Sequence, residues 1–136
     1  MDYVDSSILI GAYFPSDPNH EKCKGYMGKV KSGEIKAITS LFSLAEIGGF
    51  ISRNSTVENA VEYVNELVKI PNLYVWSTTD FGEFMSVVVG VSLRFGMSGA
   101  DSIHVVGAFS SPEVKRIATL DRDFRKVESL IEVLIL

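Results

Sequence analysis

Short apolar runs alternate along this chain with longer segments of helical periodicity, and the alternation predicts an α/β fold. The short runs are rich in β-branched and aromatic residues, as buried strands are. The predicted strands are Asp2–Val4, Ile35–Thr39, Leu73–Trp76, Arg116–Thr119 and Ile131–Ile135. Strands separated by helices favour a parallel sheet with helices packed on both of its faces.

The segments between these strands carry helix signals such as cap residues, Pro or Gly terminators and apolar residues three or four positions apart. The predicted helices are Ser6–Tyr13, Glu21–Lys31 capped by Asn19, a segment from Leu41, one opened by the capping-box pattern Ser55-Thr56-Val57-Glu58, Asp80 to about Phe95, Ala100–Phe109, and a short one near Arg122–Lys126. The helix after Ser55 has the clearest pattern and ends before Pro71. We expect it to bury one face, formed by Val57, Ala60, Val61, Val64, Leu67 and Val68.

Composition indicates one folded, soluble domain. The 136 residues suffice for a single core, so we predict one domain over residues 1–136, and 46% hydrophobic with 22% charged residues argues against disorder. The start Met-Asp-Tyr-Val-Asp lacks a basic segment before an apolar stretch, so we expect no signal peptide. A single cysteine, Cys23, permits no internal disulfide, which is typical of the cytoplasm.

The net charge of −4 neither requires nor excludes a polyanionic substrate. Five carboxylates form the candidate site described next. Without them, 12 acidic and 13 basic residues remain, so a basic rim around an acidic centre is compatible with the composition.

Acidic residues follow the predicted strands. Asp5, Glu46 and Asp121 come after three different strands, and Asp101 opens a helix that can reach the same edge. In open α/β sheets ligands bind at the carboxyl ends of the strands. Converging carboxylates repel one another, so such a group is stable mainly around a cation. Oxygen donors without cysteine favour Mg²⁺ or Mn²⁺ over zinc.

A plainer interpretation stays open for each acid taken alone. Ser43-Leu44-Ala45-Glu46 and Ser98-Gly99-Ala100-Asp101 both match the capping-box pattern, and Asp121 is suited to cap the short helix after it. Acids in these positions stabilise helix starts without any ligand.

Four segments together resemble the PIN domain family, in particular the small stand-alone proteins of VapC-like toxin type. They are Tyr3-Val4-Asp5-Ser6-Ser7, Thr39-Ser40-Leu41-Phe42-Ser43-Leu44-Ala45-Glu46, Gly99-Ala100-Asp101-Ser102-Ile103-His104 and Ala118-Thr119-Leu120-Asp121-Arg122-Asp123-Phe124. Their order and spacing and the chain length all fit, so the resemblance covers essentially the whole chain.

The resemblance implies a three-layer α/β/α fold and a metal-dependent ribonuclease that often works as a homodimer, with a protein antitoxin as a further partner. It assigns metal-ligand and catalytic roles to Asp5, Glu46, Asp101 and Asp121, with one or two Mg²⁺ or Mn²⁺ ions. Asp123 would help from the outer shell or hold a second metal. Ser6 and Thr119 would contact a ligand, the metal's water or a neighbouring carboxylate.

Two positions depart from the family pattern. Gly48-Gly49 lies inside a predicted helix, where we expect a bend or unusually close packing. His104 lies three positions after Asp101, on the same face of the predicted helix. Its predicted role is that of a metal ligand, a base or a packed, hydrogen-bonded residue.

Two alternative functions remain open: an RNA-processing nuclease without an antitoxin, and a non-catalytic RNA- or protein-binding module. A phosphoacceptor receiver domain is disfavoured, because the first strand ends in one Asp and the last strand holds no lysine.

Overall fold

The computed structural model describes all 136 residues, and every strand lies in one sheet. The elements in chain order are β1 Asp2–Val4, α1 Ser6–Tyr13, α2 His20–Lys31, β2 Ala37–Ser40, α3 Leu41–Asn54, α4 Val57–Leu67, β3 Leu73–Trp76, α5 Phe81–Phe95, α6 Gly99–Phe109, β4 Arg116–Thr119, a 3₁₀ helix Arg122–Val127 and β5 Glu132–Ile135. The predicted bounds of β1, α1, β3 and β4 are confirmed, and the other strands differ by one or two residues. No helix has both the length and the apolar content needed to cross a membrane.

The sheet is parallel throughout, with the strand order β3-β2-β1-β4-β5. The chain builds outward from β1 through β2 to β3 and then returns to the other side of β1 as β4. The strand order therefore reverses beside β1, and the crevice at the carboxyl ends of β1 and β4 is where an open α/β sheet places its ligand.

Neighbouring residues of one strand serve opposite cores, because successive side chains of a strand point to opposite faces. Val4 packs with α1 to α4 in one core, whereas Tyr3 packs with α6 and the 3₁₀ helix in the other. In β4, Ala118 and Ile117 divide in the same way. Helices cover both faces, which confirms the predicted three-layer α/β/α architecture.

Helix α4 departs from the predicted single buried face. Ala60 and Leu67 are buried, but Val57, Val61 and Val68 are 48 to 61% exposed. The apolar residues divide into two adjacent stripes, and the chain covers only the one turned toward α3 and the core. Periodicity identified the apolar side of this helix but overestimated how much of it the chain itself covers.

Three local predictions have different outcomes. The cap of α4 is Thr56, whose Oγ1 accepts the Asn59 N–H at 3.0 Å, so the capping box does not form from Ser55. Asn19 occupies the N-cap position of α2, as predicted, but its side chain makes no hydrogen bond to the helix, and its own N–H donates to Asp17. A Cβ at Gly48 would meet no atom within 4 Å, so close packing within the chain does not explain that glycine.

Candidate metal centre

The predicted site residues all lie on elements that meet at the carboxyl ends of β1 and β4. Asp5 directly follows β1, and Asp121 comes two residues after the end of β4. Asp101 lies in the first turn of α6, and Glu46 lies one turn further into its helix, α3. The structure divides these acids into two parts that differ in burial and in hydrogen bonding.

The first part, which we call the outer carboxylates, consists of Asp101, Asp121 and Asp123. Their carboxylate oxygens lie within 4.8 Å of one another. Asp121 and Asp123 are exposed and Asp101 is half-buried, and none of the three forms an ion pair. Three acids so close together with no nearby cationic partner form an arrangement that an added cation would stabilise.

The electrostatics of Asp101 agree with this description. Burial raises the pKa of its carboxyl above the ordinary value, and the charges of Asp121 and Asp123 raise it further, against a hydrogen bond with Ser98 and the nearby His104. A divalent ion would reverse that balance, because it favours the charged form of every carboxylate it contacts.

Local hydrogen bonds support part of the plainer interpretation of these acids. Asp121 caps the 3₁₀ helix, since its Oδ1 accepts the Asp123 N–H at 2.8 Å. Ser98 caps α6 by accepting the Asp101 N–H at 3.0 Å. Capping uses one oxygen of Asp121, and Ser98 is the one hydrogen-bond partner of the Asp101 carboxyl, so both side chains keep an oxygen available to a cation.

The second part, which we call the inner network, consists of Asp5, Glu46, His104 and the side chains that hydrogen-bond them. Asp5 is only 4% exposed. Its Oδ1 accepts the N–H and the hydroxyl of Ser7, and its Oδ2 accepts the Thr119 hydroxyl at 2.6 Å. Burial raises the pKa of Asp5, while His104 and these hydrogen bonds act in the opposite direction.

Glu46 is held from two sides at the same oxygen. Its Oε1 lies 3.0 Å from Ser6 Oγ and 2.7 Å from His104 Nε2. Since a carboxylate can only accept, both groups donate to it. The cap of α3 is Ser40, which accepts the Ser43 N–H, so the capping-box interpretation of Glu46 was wrong.

The hydroxyl residues behave as the sequence predicted, in that each contacts a neighbouring carboxylate. Ser6 donates to Glu46, and Thr119 donates to Asp5. Thr119 Oγ1 also accepts the Asp121 N–H at 3.0 Å. Thr119 therefore joins the inner network to the loop that carries two of the outer carboxylates.

His104 is a packed, hydrogen-bonded residue, one of the roles considered for it. It is 2% exposed, and its Nδ1 lies 3.0 Å from the Tyr3 hydroxyl. Sequence reasoning missed Tyr3 and Ser7 as members of the site. Both lie within the first motif, but Tyr3 reads as an ordinary core residue of β1, and no local pattern marks a hydroxyl that reaches across the sheet.

The donors present suit a hard divalent ion. The candidate ligands are carboxylate oxygens, the one cysteine is fully buried in α2, and both nitrogens of His104 already have partners. This set fits Mg²⁺ or Mn²⁺ better than zinc, which prefers nitrogen and sulfur ligands.

No protein-family model matches the sequence, and no curated protein matches it significantly. Solved structures do match the fold. VapC20 of Mycobacterium tuberculosis, described as a sarcin-ricin loop cleaving toxin, is 16% identical with a TM-score of 0.75 over 92% of this chain and 93% of that one.

Two further structures are similar. FitAcB from Neisseria gonorrhoeae is 14% identical, with a TM-score of 0.66 over 98% of this chain and 96% of that one. VapBC2 from Rickettsia felis, bound to a DNA fragment from their promoter, is 14% identical, with a TM-score of 0.70 over 98% and 97%. The resemblance to VapC-like PIN proteins is thus confirmed at the level of the fold.

Proposed function

We propose that this protein is a metal-dependent endoribonuclease, formed by residues 1–136 as one domain, that hydrolyses RNA phosphodiester bonds. The observation that carries the proposal is the group of outer carboxylates, within 4.8 Å of one another at the ligand-binding edge of the sheet. We assign the residues the roles expected in the sequence analysis. Asp5, Glu46, Asp101 and Asp121 are catalytic and hold one or two Mg²⁺ or Mn²⁺ ions, and Asp123 assists.

A bound divalent ion would polarise the phosphate and lower the pKa of water for attack on phosphorus. The chain's own residues place the carboxylates for that purpose. Ser6 and His104 fix one oxygen of Glu46, and Thr119 and Ser7 fix both oxygens of Asp5. Positioning acids before a polyanionic substrate arrives avoids an ordering cost during the reaction.

The test is cleavage of a pool of structured and single-stranded RNA by the purified protein with Mn²⁺, Mg²⁺ or EDTA. We expect cleavage that needs the metal and is lost in Asp5→Asn and Asp101→Asn. Asp80→Asn is the matched control: Asp80 caps α5, its side chain hydrogen-bonds only the N–H of Glu83, which is not a site residue, and Asn caps a helix as well as Asp. Metal-independent cleavage, or full activity in both site variants, would contradict the proposal.

We further propose that the nuclease is the toxin of a toxin–antitoxin pair in the cytoplasm. The description of VapC20 as a toxin supports this, together with the match over nearly the full length of both chains. Growth arrest on expression, relieved by the product of an adjacent small gene, is the expected result. Cleavage without growth arrest would favour the alternative, an RNA-processing nuclease without an antitoxin.

A non-catalytic binding module is the remaining alternative. It would use the fold to hold RNA or a protein without cutting. The outer carboxylates disfavour it, because an acidic group with no basic partner repels the phosphates of RNA unless a cation lies between them. Failure of the folded protein to bind Mn²⁺ would favour this module.

We also propose that the protein is a homodimer that pairs through α5. No charged residue lies between Glu83 and Arg94 in this helix, and its outer side exposes Val87, Val89 and Leu93, the last at 81%. A helix that is apolar on all sides is normally buried. In this chain only the side with Phe84 and Val88 is buried, so a second copy is the partner that an uncharged surface fits best.

The two charges that bound this surface support pairing about a two-fold axis. Glu83 and Arg94 are eleven residues apart, about three helical turns, so they lie on the same side of α5. In an antiparallel pair of these helices, each Glu83 would face the Arg94 of the other copy, as an isologous interface requires. Gly90 lies between them with open space around it, which allows close approach of the two helices.

Charge exchange tests this interface. Glu83→Arg and Arg94→Glu should each shift the protein toward monomer in light scattering, and the double variant should restore the dimer. Glu58→Arg on α4 is the control, which should stay dimeric. A monomeric wild type, or single variants as dimeric as the wild type, would contradict pairing through α5.

A further inference from the structure

The buried histidine of α6 has a role beyond packing. His104 is enclosed by aromatic rings, with those of Tyr3, Phe42 and Phe124 centred 5.9, 5.4 and 6.4 Å from its own. These neighbours come from β1, α3 and the 3₁₀ helix. An imidazole packed from three elements has little freedom to rotate, so its nitrogens point in fixed directions.

Each nitrogen has one definite partner. Nδ1 lies 3.0 Å from the Tyr3 hydroxyl, which in turn lies 3.0 Å from Ser40 Oγ. Nε2 lies 2.7 Å from Glu46 Oε1, the shortest hydrogen bond that Glu46 makes. The two bonds thus connect buried Tyr3 in the middle of β1 to a carboxylate that is 30% exposed.

These hydrogen bonds leave the other oxygen of Glu46 free. With Oε1 held by His104 and Ser6, the plane of the carboxylate is set and Oε2 keeps no hydrogen-bond partner within the protein. A free glutamate side chain has three rotatable bonds, and ordering it on metal binding costs conformational entropy. Holding it beforehand removes that cost from metal binding.

We propose that His104 is a positioning residue: by donating from Nε2 to Glu46 Oε1, it holds the Glu46 carboxylate so that the free Oε2 can bind a divalent ion. The proposal rests on the proposed metal-dependent function. It also explains why a histidine is found one turn after Asp101, since α6 then carries one acid itself and orients a second from α3.

Two substitutions separate this role from a purely structural one. In His104→Gln the longer side chain brings its amide to about the place of Nε2, so a donor to Glu46 is kept and the contact with Tyr3 is lost. In His104→Asn the shorter side chain brings its amide to about the place of Nδ1, so the contact with Tyr3 is kept and the donor to Glu46 is lost. The pair is therefore matched in polarity and differs in which of the two hydrogen bonds survives.

The measurement is the Mn²⁺ dissociation constant by titration calorimetry, on folded protein whose Tm is followed by circular dichroism. We expect His104→Asn to weaken Mn²⁺ binding by about 10- to 100-fold, the usual effect of removing a group that orients a metal ligand, and His104→Gln to remain within about threefold of wild type. Higher Mn²⁺ should partly restore kcat in His104→Asn, with KM for RNA unchanged.

Equal Mn²⁺ affinity in wild type and His104→Asn would overturn the positioning role while leaving the nuclease proposal intact. A wild type that binds no Mn²⁺ would overturn both, and the wild-type titration alone reveals that case. Should His104→Asn not fold, His104→Phe keeps a ring among the aromatic neighbours and removes the donor to Oε1. A tenfold or greater loss of Mn²⁺ affinity in that variant supports the proposal, and an unchanged affinity overturns it.

Discussion

The outer carboxylates and the inner network are two ways of placing negative charge at one edge of the same sheet. Asp5 is buried and receives three hydrogen bonds from Ser7 and Thr119. Asp121 and Asp123 are solvent-exposed neighbours of Asp101, and none of the three has a basic partner. In the inner network hydroxyls and an imidazole offset the loss of water, whereas in the outer carboxylates only solvent and an ion can do so.

The difference suggests a division of roles within one site. Hydrogen bonds that are already formed restrain the inner acids, so under the proposed function we expect them to change little on metal binding. The outer carboxylates repel one another, so we expect them to provide most of the dependence on metal. We therefore expect substitutions of the outer carboxylates to change mainly activity and metal binding, and substitutions in the inner network to change stability as well.

The largest effect is expected from the outer carboxylates on catalysis. Asp101→Asn removes one of three clustered acids and should lower kcat for RNA by about 100-fold or more, the loss typical of removing one electrostatic stabiliser of a transition state. Initial rates at saturating Mn²⁺ measure it. A loss that high Mn²⁺ fully reverses would instead assign Asp101 to metal affinity alone.

Metal addition should stabilise the wild type through the same residues. At a concentration 100-fold above its Kd, a ligand stabilises the folded state by about 2.7 kcal/mol, which corresponds to roughly 8 °C in Tm for a chain of this size. Thermal unfolding with Mn²⁺ or EDTA checks this. Asp101→Asn should lose most of the shift, while the Asp80→Asn control keeps it; an equal shift in both would point to binding elsewhere.

The connection between the two parts is tested at Thr119. Thr119→Val removes the donor to Asp5 Oδ2 and the acceptor of the Asp121 N–H, both in a fully buried position. Leaving a buried polar group unpaired costs about 1–3 kcal/mol in the free energy of unfolding. Urea denaturation measures it.

Thr39→Val is a matched control for that variant. Thr39 is equally buried, but its hydroxyl donates at 2.8 Å to the neutral carbonyl of Val4. We expect a smaller loss of about 1 kcal/mol, because bonds to charged groups are stronger than bonds to neutral ones. Equal losses in the two variants would mean that Asp5 gains nothing special from Thr119.

The fold and the position of the site follow from local sequence because both depend on short-range patterns. The sequence shows two short apolar strands, one followed directly by Asp5 and the other followed two residues later by Asp121. Parallel strands place such residues at one edge of the sheet. The partners of the acids are not visible in this way. Glu46 and His104 are 58 positions apart, and Tyr3 and His104 are 101 apart, so only the folded chain shows that they meet.

The error in α4 has a different cause. An apolar period shows which side of a helix avoids water, but it does not show whether the same chain covers that side. Val57 and Val61 follow the period as well as Ala60 does, yet they are exposed. A second helix, α5, also exposes apolar residues, and there the uncharged run between Glu83 and Arg94 was visible in the sequence without indicating what would cover it.

The smallest expected effect is a gain in stability when the charge of Asp5 is removed. It distinguishes the inner network from the outer carboxylates most clearly. Burial raises the pKa of Asp5, so the folded state binds that proton more tightly than the unfolded chain. The free energy of unfolding should therefore fall as the pH rises from the ordinary aspartate pKa through the raised value. Asp5→Asn removes this dependence and, without metal at neutral pH, should stabilise the fold by about 1 kcal/mol while lowering cleavage.

Asp2 provides the contrasting control, because it is equally buried but bonded to a cation. Both of its oxygens accept from the Arg116 guanidinium, at 2.8 and 3.0 Å, so Asp2→Asn should destabilise the protein by leaving that charge with a weaker partner. Urea titrations from acidic to neutral pH compare the two variants. If Asp5→Asn were as destabilising as Asp2→Asn, the hydroxyls around Asp5 would stabilise its charge as well as an arginine does, and burial of that charge would carry no cost for a metal ion to relieve.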